Sequence, residues 1–490
     1  MLIILMVSLF LRLNRLDYPV SDTFAWGDGT RDYLVASHIV KYGEIPLQGP
    51  YNLLNASGVK NSPLYFYALA LPLIIFNNPL TLSVVNIFLQ MASLVLIYLI
   101  AKTAFNEKIA MVALILFSFN PEVIKQADYI WQPYLMLPLA LLGLYFLTSA
   151  YFEKNYVKLV LSLVAVSLAF VMHNSAFPFW LILMTACFLI LKKEKRSLQH
   201  YIGLILVVAL TVTISYLPLI SLDAVGAFPS QTISGYLHNV NTNLDAFLKV
   251  FYINKLFLIV FFIVATAILL HTRLYKLQII FMIFLFLLPI ILASFFNKIR
   301  IHYLLLSLPS FAILTAGLVG SISSRPLKFL LVFFLAVIFS GNLQFIKELK
   351  TPLENKHLVD EITTTLYRDL NQIKMESHFS GFDFFQVKSY ALDSNVFDYK
   401  VLDTIFIVPL EEKLKTKLAV VSENNYNHLQ INQKKYLVLA CFRFDYPSSD
   451  CRDLFLDKNQ TYEVIKTSFR SQYISIFIAR QKAIAKLKNN

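Results

Sequence analysis

Three charged side chains crowd into one short stretch of this chain: "WGDGTRDY", residues 26–33, holds Asp28, Arg31 and Asp32. If the stretch is helical, carboxylates four positions apart share one face. Such a carboxylate can take a proton from a reacting hydroxyl, and two near one another are able to hold a divalent cation. Arg31 either pairs with a neighbouring aspartate in a solvated loop or forks onto a phosphate. Two more acids, Glu122 and Asp128, follow in "NPEVIKQADYIW". They read either as surface acids near an interface or as a second acidic pair facing the first. "FFNKIRIHYLLLSLP" supplies Lys298, Arg300 and His302, a basic patch suited to an anionic lipid headgroup or to a local ion pair. His173, alone in "FVMHNSAF", is either a structural hydrogen-bonder or a member of the same site.

The elements that must carry these residues are apolar. Of 490 residues, 57% are hydrophobic and 15% are charged, where ordinary soluble domains carry about 25% charged. The mean hydropathy is +0.62. Runs such as "KLVLSLVAVSLAFVM" and "LFLIVFFIVATAILL" approach the roughly 20 apolar residues a bilayer span needs. These runs lack the short alternating strands of a membrane barrel. The pattern predicts a polytopic α-helical membrane protein with about eleven transmembrane helices: 1–13, 80–102, 108–124, 133–152, 156–172, 176–191, 201–221, 255–270, 277–296, 303–321 and 327–345. The first apolar run lacks the basic start and small-residue cleavage site of a signal peptide and reads as the first span.

The net charge of +13 sits largely in short loops. "AKTAFNEK", "YFEKNYVK", "KKEKRSLQH", "HTRLYK" and "SSRPLK" alternate with less basic connections, so they are read as cytoplasmic. That explains the basic excess as membrane sorting and leaves no case for a nucleic-acid partner. The opposite set is extracytoplasmic: the first outer loop 14–79, the segments 125–132, 173–175, 222–254 and 297–302, and everything after 345. The chain is thus expected to divide into a membrane domain, 1–345, and a small C-terminal extracytoplasmic α/β domain, 346–490. In the latter, "NKHLVDEITTTLYRDLNQI" has helical spacing, and "YKVLDTIFIVPL", "KLAVVSE", "KKYLVLACFRF" and "SQYISIFIARQ" read as strands. Cys187 lies in an apolar run and reads as an inert thiol. Cys441 and Cys451 are either a disulfide or two free thiols. No glycine-rich phosphate loop and no metal-type Cys/His spacing is present.

In order and spacing, several segments resemble the integral-membrane GT-C glycosyltransferases that use polyprenyl-phosphate sugars. The nearest branch is that of the dolichyl-phosphate-mannose protein mannosyltransferases and the aminoarabinose–lipid A transferases. The segments are "GDGTRDYL", "GEIPLQGP", "SPLYFYALALP", "IWQPYLMLPLALL" and "RIHYLLLSLPSFAILTAG", within roughly residues 1–345. Gln132 stands where that family has an Asn. The resemblance implies a hexosyl- or pentosyltransferase moving sugar from a polyprenyl-phosphate donor to a hydroxyl of a protein, lipid or envelope glycan, with inversion and no nucleotide cofactor. Asp28 takes the place of the first-loop catalytic carboxylate. Where many members have an adjacent Asp-Glu pair, Gly29 follows Asp28 here, and Asp32 is the next acid. Several relatives carry an Arg near the position of Asp128, so Arg31, Lys298 or Arg300 would meet the donor phosphate. The rival reading is a lipid-linked glycan transporter or flippase. It calls for acids at the bilayer midplane and for repeat symmetry, and neither is visible. An enzymatically silent scaffold would tolerate loss of Asp28.

Overall fold

The computed structural model describes residues 1–14, 28–47, 49, 62–125, 132–216, 234, 237–242, 244, 275–294, 305–321, 353–378, 385–391, 410, 413–415, 420–421, 436–442, 462–470 and 474–482. The expected spans 255–270 and 327–345 lie outside them. By backbone contacts the chain divides into two compact units. One is Met1–Asp17 with Val35–Thr351; the other is Tyr18–Leu34 with Pro352–Asn490.

The first unit is helical. Its helices are α1 (Leu2–Leu13), α2 (Asp28–Tyr42, whose first residues group with the second unit), α3 (Leu64–Leu73), α4 (Pro79–Ala104), α5 (Glu107–Ser118), α6 (Pro121–Lys125), α7 (Gln132–Glu153), α8 (Tyr156–Met172), α9 (Phe177–Lys193), α10 (Leu198–Tyr216), α11 (Lys276–Ala293) and α12 (Ser307–Ser321). Among the described residues, Leu80–Ala104 and Gln132–Glu153 are long and apolar enough to cross a membrane, and shorter apolar helices surround them.

Asparagines set several boundaries. The side chains of Asn78, Asn106, Asn120 and Asn155 each accept backbone N–H groups at the start of α4, α5, α6 and α8, at 2.8–3.4 Å. This satisfies donors that an isolated helix start leaves open. Asn120 also accounts for a departure from the expected third span, 108–124. The helix ends at Ser118, and Asn120 with Pro121 starts a separate short helix, α6. A second departure lies inside the first outer loop, where "LYFYALALPL" forms the apolar helix α3 and buries Tyr65, Phe66, Leu69 and Leu73.

Described residues of four basic connections make contacts between those connections. Asn106 Nδ2 donates to the Tyr275 hydroxyl at 3.2 Å, Tyr156 donates to the His200 carbonyl at 3.0 Å, and Arg196 Nη2 donates to the Lys154 carbonyl at 3.0 Å. At the centre, α7 and α8 form the most extensive helix pair. Gly143 permits it: a Cβ there would lie 3.0 Å from the Ser162 carbonyl and 3.2 Å from Val166 Cβ. The Ser162 hydroxyl donates to the Gly143 carbonyl at 2.8 Å. Cys187 is buried and free.

In the second unit, α13 (Leu353–Glu376) precedes a five-stranded sheet of β1 (Phe385–Ala391), β2 (Val420–Val421), β3 (Tyr436–Phe442), β4 (Tyr462–Arg470) and β5 (Ile474–Gln481), in the order β2-β1-β3-β5-β4. β1 runs parallel to β2 and β3, whereas β5 is antiparallel to both β3 and β4. α13, β2, β3 and β5 coincide with segments read from the sequence, while β1 and β4 do not. The register of β4 shifts between Val464 and Lys466 and again between Thr467 and Phe469, which breaks the two-residue alternation of a strand. Most of "YKVLDTIFIVPL", the Cys441 side chain and Cys451 lie outside what is described.

The α7–α8 contact yields a test. Gly143→Leu overpacks the interface, at about 1–3 kcal/mol, whereas Ser162→Ala removes one interhelical hydrogen bond, at about 0.6 kcal/mol. Thermal unfolding in detergent should therefore show the larger drop in Tm for Gly143→Leu. Equal drops would contradict the close approach.

Candidate active site

From Asp28 on, the stretch that opens the sequence reading is helical. α2 begins at Asp28 and places positions 28 and 32 one turn apart on one helix. The Asp32 side chain is fully buried and engaged with a partner. The side chains of Asp28 and Arg31 lie outside the described set. α2 ends where Gly43 takes a left-handed backbone, φ +65, and donates its N–H to the Ile39 carbonyl at 3.1 Å.

That turn folds "GEIP" back along α2. The Glu44 carboxylate comes within 3.5 Å of Nδ1 of the buried His38, whose ring meets Tyr42 edge-on with centroids 5.1 Å apart. Val35, Glu44, Ile45 and Pro46 line a cavity of about 310 Å³. The Tyr67 hydroxyl of α3 donates to the Pro46 carbonyl at 2.9 Å and holds this turn in place. The pair's Glu44 thus lines this cavity. Sequence reasoning missed the pair because the two residues flank a glycine turn with no motif spacing.

A second feature was also missed, although its signal was present. Arg12 is the one charge in "LIILMVSLFLRL", and its side chain is completely buried. Nε donates to Gln90 Oε1 at 3.0 Å, and Nη1 donates to the Ser8 carbonyl at 3.0 Å and to the Ser8 hydroxyl. Among the described residues, Arg12 Nη2 and Gln90 Nε2 have no hydrogen-bond partner. The pair therefore ties α1 to α4 and leaves two NH2 groups without an acceptor among the described residues. A charge inside an apolar span is costly and commonly functional.

His173 follows α8. Its Nδ1 accepts the Ser175 backbone N–H at 3.2 Å and lies 2.7 Å from the Ser175 hydroxyl. An imidazole nitrogen that accepts an amide proton carries its lone pair there, so the ring is the neutral tautomer with its proton on Nε2. Burial pushes its pKa down to about 3. Glu122 lies in the first turn of α6, half-buried and engaged. Asp128, Lys298, Arg300 and His302 lie outside the described residues. Among the described residues, no three His, Cys, Asp or Glu side chains cluster as metal ligands do. The described geometry thus joins positions 28, 31 and 32 on one helix.

His173 generates a pH prediction. Folded, it titrates near 3; unfolded, near the ordinary 6.5 or so. Between those values the unfolded chain binds more protons, so stability is lost as pH falls from about 6.5 toward 3. His173→Gln removes this titration. Tm measured from about pH 6.5 to about pH 4.5 should fall less steeply in the variant than in the wild type. Equal slopes would assign the loss to other groups.

Comparison with known proteins adds to this geometry. Residues 60–219 match the dolichyl-phosphate-mannose-protein mannosyltransferase family. No curated protein sequence matches the chain. The fold is that of ArnT from Cupriavidus metallidurans. The structure bound to undecaprenyl phosphate superposes with a TM-score of 0.61 at 12% identity, over 97% of each chain. The apo structure gives the same TM-score at 10% identity, again over 97% of each. The resemblance read from the motifs is supported on two counts: residues 60–219 match the mannosyltransferase family model, and the fold is similar to that of ArnT.

Proposed function

We propose that this chain is a multi-pass membrane glycosyltransferase that moves a hexose or pentose from a polyprenyl-phosphate donor to a hydroxyl on the outer membrane face. The observation that carries this reading is the acidic helix α2, close after the first apolar helix, in a chain whose fold matches ArnT along 97% of its length. That relative holds undecaprenyl phosphate, which supports a donor of the same lipid class. The reading includes eleven spans, a membrane domain 1–345 and an outer domain 346–490. The acceptor is a protein, lipid or envelope glycan.

In this mechanism the acceptor hydroxyl oxygen attacks the anomeric carbon of the donor. The bond from that carbon to the phosphate oxygen breaks in the same displacement, inverting the centre. Asp28 takes the hydroxyl proton, and the lipid phosphate leaves with the electron pair. Positioned general-base catalysis of this kind is worth about 10²–10⁴-fold. Asp32, buried and engaged, suits a role in orienting the acceptor or its partner base better than one in exchanging protons with it. Lys298, Arg300, Arg31 and His302 are assigned to the departing phosphate, where negative charge develops. Asp128, Glu122 and His173 remain secondary candidates. A divalent cation shared by Asp28 and Asp32 would serve the same phosphate.

The test is sugar transfer in proteoliposomes loaded with radiolabelled polyprenyl-phosphate sugars and a panel of envelope acceptors. Asp28→Asn, checked for folding and insertion, should lose about 10²-fold or more of wild-type transfer. Undiminished transfer would move the base to another acid. Movement of intact donor across the bilayer, with no transfer by either protein, would favour the transporter.

A further inference from the structure

The basic end of the helical unit contains a cavity unconnected with the acidic helix. Its volume is about 260 Å³, and it lies between the ends of α4, α7, α9 and α11. Leu147, Phe152, Leu189, Phe281 and Met282 form most of the wall. Thr148 also lines it, but its hydroxyl donates back to the Leu144 carbonyl at 2.8 Å and is not available to an occupant. The other polar residues at the lining are Gln278, Tyr151 and Lys193.

Lys193 is distinct from several cations around it. Lys102 pairs with Glu107 at 3.5 Å, Lys158 with Glu153 at 2.5 Å, and Arg196 with Glu194 at 2.9 Å. The Lys193 ammonium instead lies 4.5 Å from the centroid of the Tyr151 ring and donates to its hydroxyl at 3.0 Å. Among the described residues no carboxylate pairs with it. Lys192 adds a second positive charge in the same last turn of α9. An apolar cavity lined in part by a lysine that no described carboxylate neutralises matches the two halves of an anionic amphiphile: a slot for hydrocarbon and a charge for a phosphate.

We infer that this cavity binds one acyl chain of an anionic glycerophospholipid from the cytoplasmic leaflet, with the lipid phosphate on Lys193. The basic connections gathered at this end assign it to the cytoplasmic side, where anionic headgroups attract lysines. The occupant would tie α9 to α11 and α7. It is a resident lipid, distinct from the sugar donor.

The test is native mass spectrometry of the full chain released from nanodiscs of phosphatidylglycerol and phosphatidylcholine with identical acyl chains. The wild type should retain one phosphatidylglycerol, with about fivefold preference over phosphatidylcholine. Lys193→Ala should abolish the preference while keeping a lipid in the slot. Ala186→Trp, which fills the cavity from α9, should abolish retention; Leu189→Trp serves the same purpose if the first variant misfolds. Equal retention of the two lipids by the wild type, or retention unchanged in a folded Trp variant, would overturn the inference. So would displacement of the bound phosphatidylglycerol by equimolar undecaprenyl phosphate.

Discussion

A polar group on an apolar helix has no water to fall back on, and the arrangement of the helical unit follows from that constraint. Hydroxyls turn inward: Ser93, Ser294, Ser310, Thr315 and Ser321 each donate to the carbonyl four residues earlier. Ser162 and Trp180 use their donors between helices, on the Gly143 carbonyl and the Ser167 hydroxyl. Asparagines close the helix starts. His173 sheds its proton rather than carry charge into a buried corner. Arg12 cannot do so and engages Ser8 and Gln90, with Nη2 left over among the described residues. Where the rule is kept, helices stack closely, as at Gly143. Where it is broken, as at Arg12, there is a candidate for function.

The helical part of the fold was largely legible for the same reason. Long apolar runs bounded by Asn, Pro and basic clusters leave little freedom, and α4, α7, α8, α9 and α11 fall within a few residues of the expected spans. Smaller features were harder to see. Asn120 interrupts an apolar run that hydropathy alone reads as continuous, because a cap acts through one hydrogen-bonding side chain and not through average polarity. α3 is too short to register as a span. β4 conceals itself behind two register shifts, and β1 carries too few apolar residues in alternation to stand out.

Legibility of the site was uneven. The helical spacing of Asp28 and Asp32 was readable because two acids four residues apart need only local structure to share a face. His38 and Glu44 were not, because their approach depends on the left-handed turn at Gly43. Arg12 was visible as a lone charge in an apolar run, yet its partner Gln90 lies 78 positions away, and no local pattern points to it. Local chemistry can be read from spacing; chemistry assembled across helices requires the fold.

The central claim is that the donor is a lipid-linked sugar. Its most direct measurement offers purified, reconstituted protein the same sugar in two forms, polyprenyl-phosphate-linked and nucleotide-linked, and follows label into acceptor together with release of free polyprenyl phosphate. The account predicts transfer from the lipid-linked sugar alone, with one polyprenyl phosphate released per sugar transferred. Transfer from the nucleotide sugar, or loss of lipid-linked sugar from one leaflet without release of polyprenyl phosphate, would contradict it.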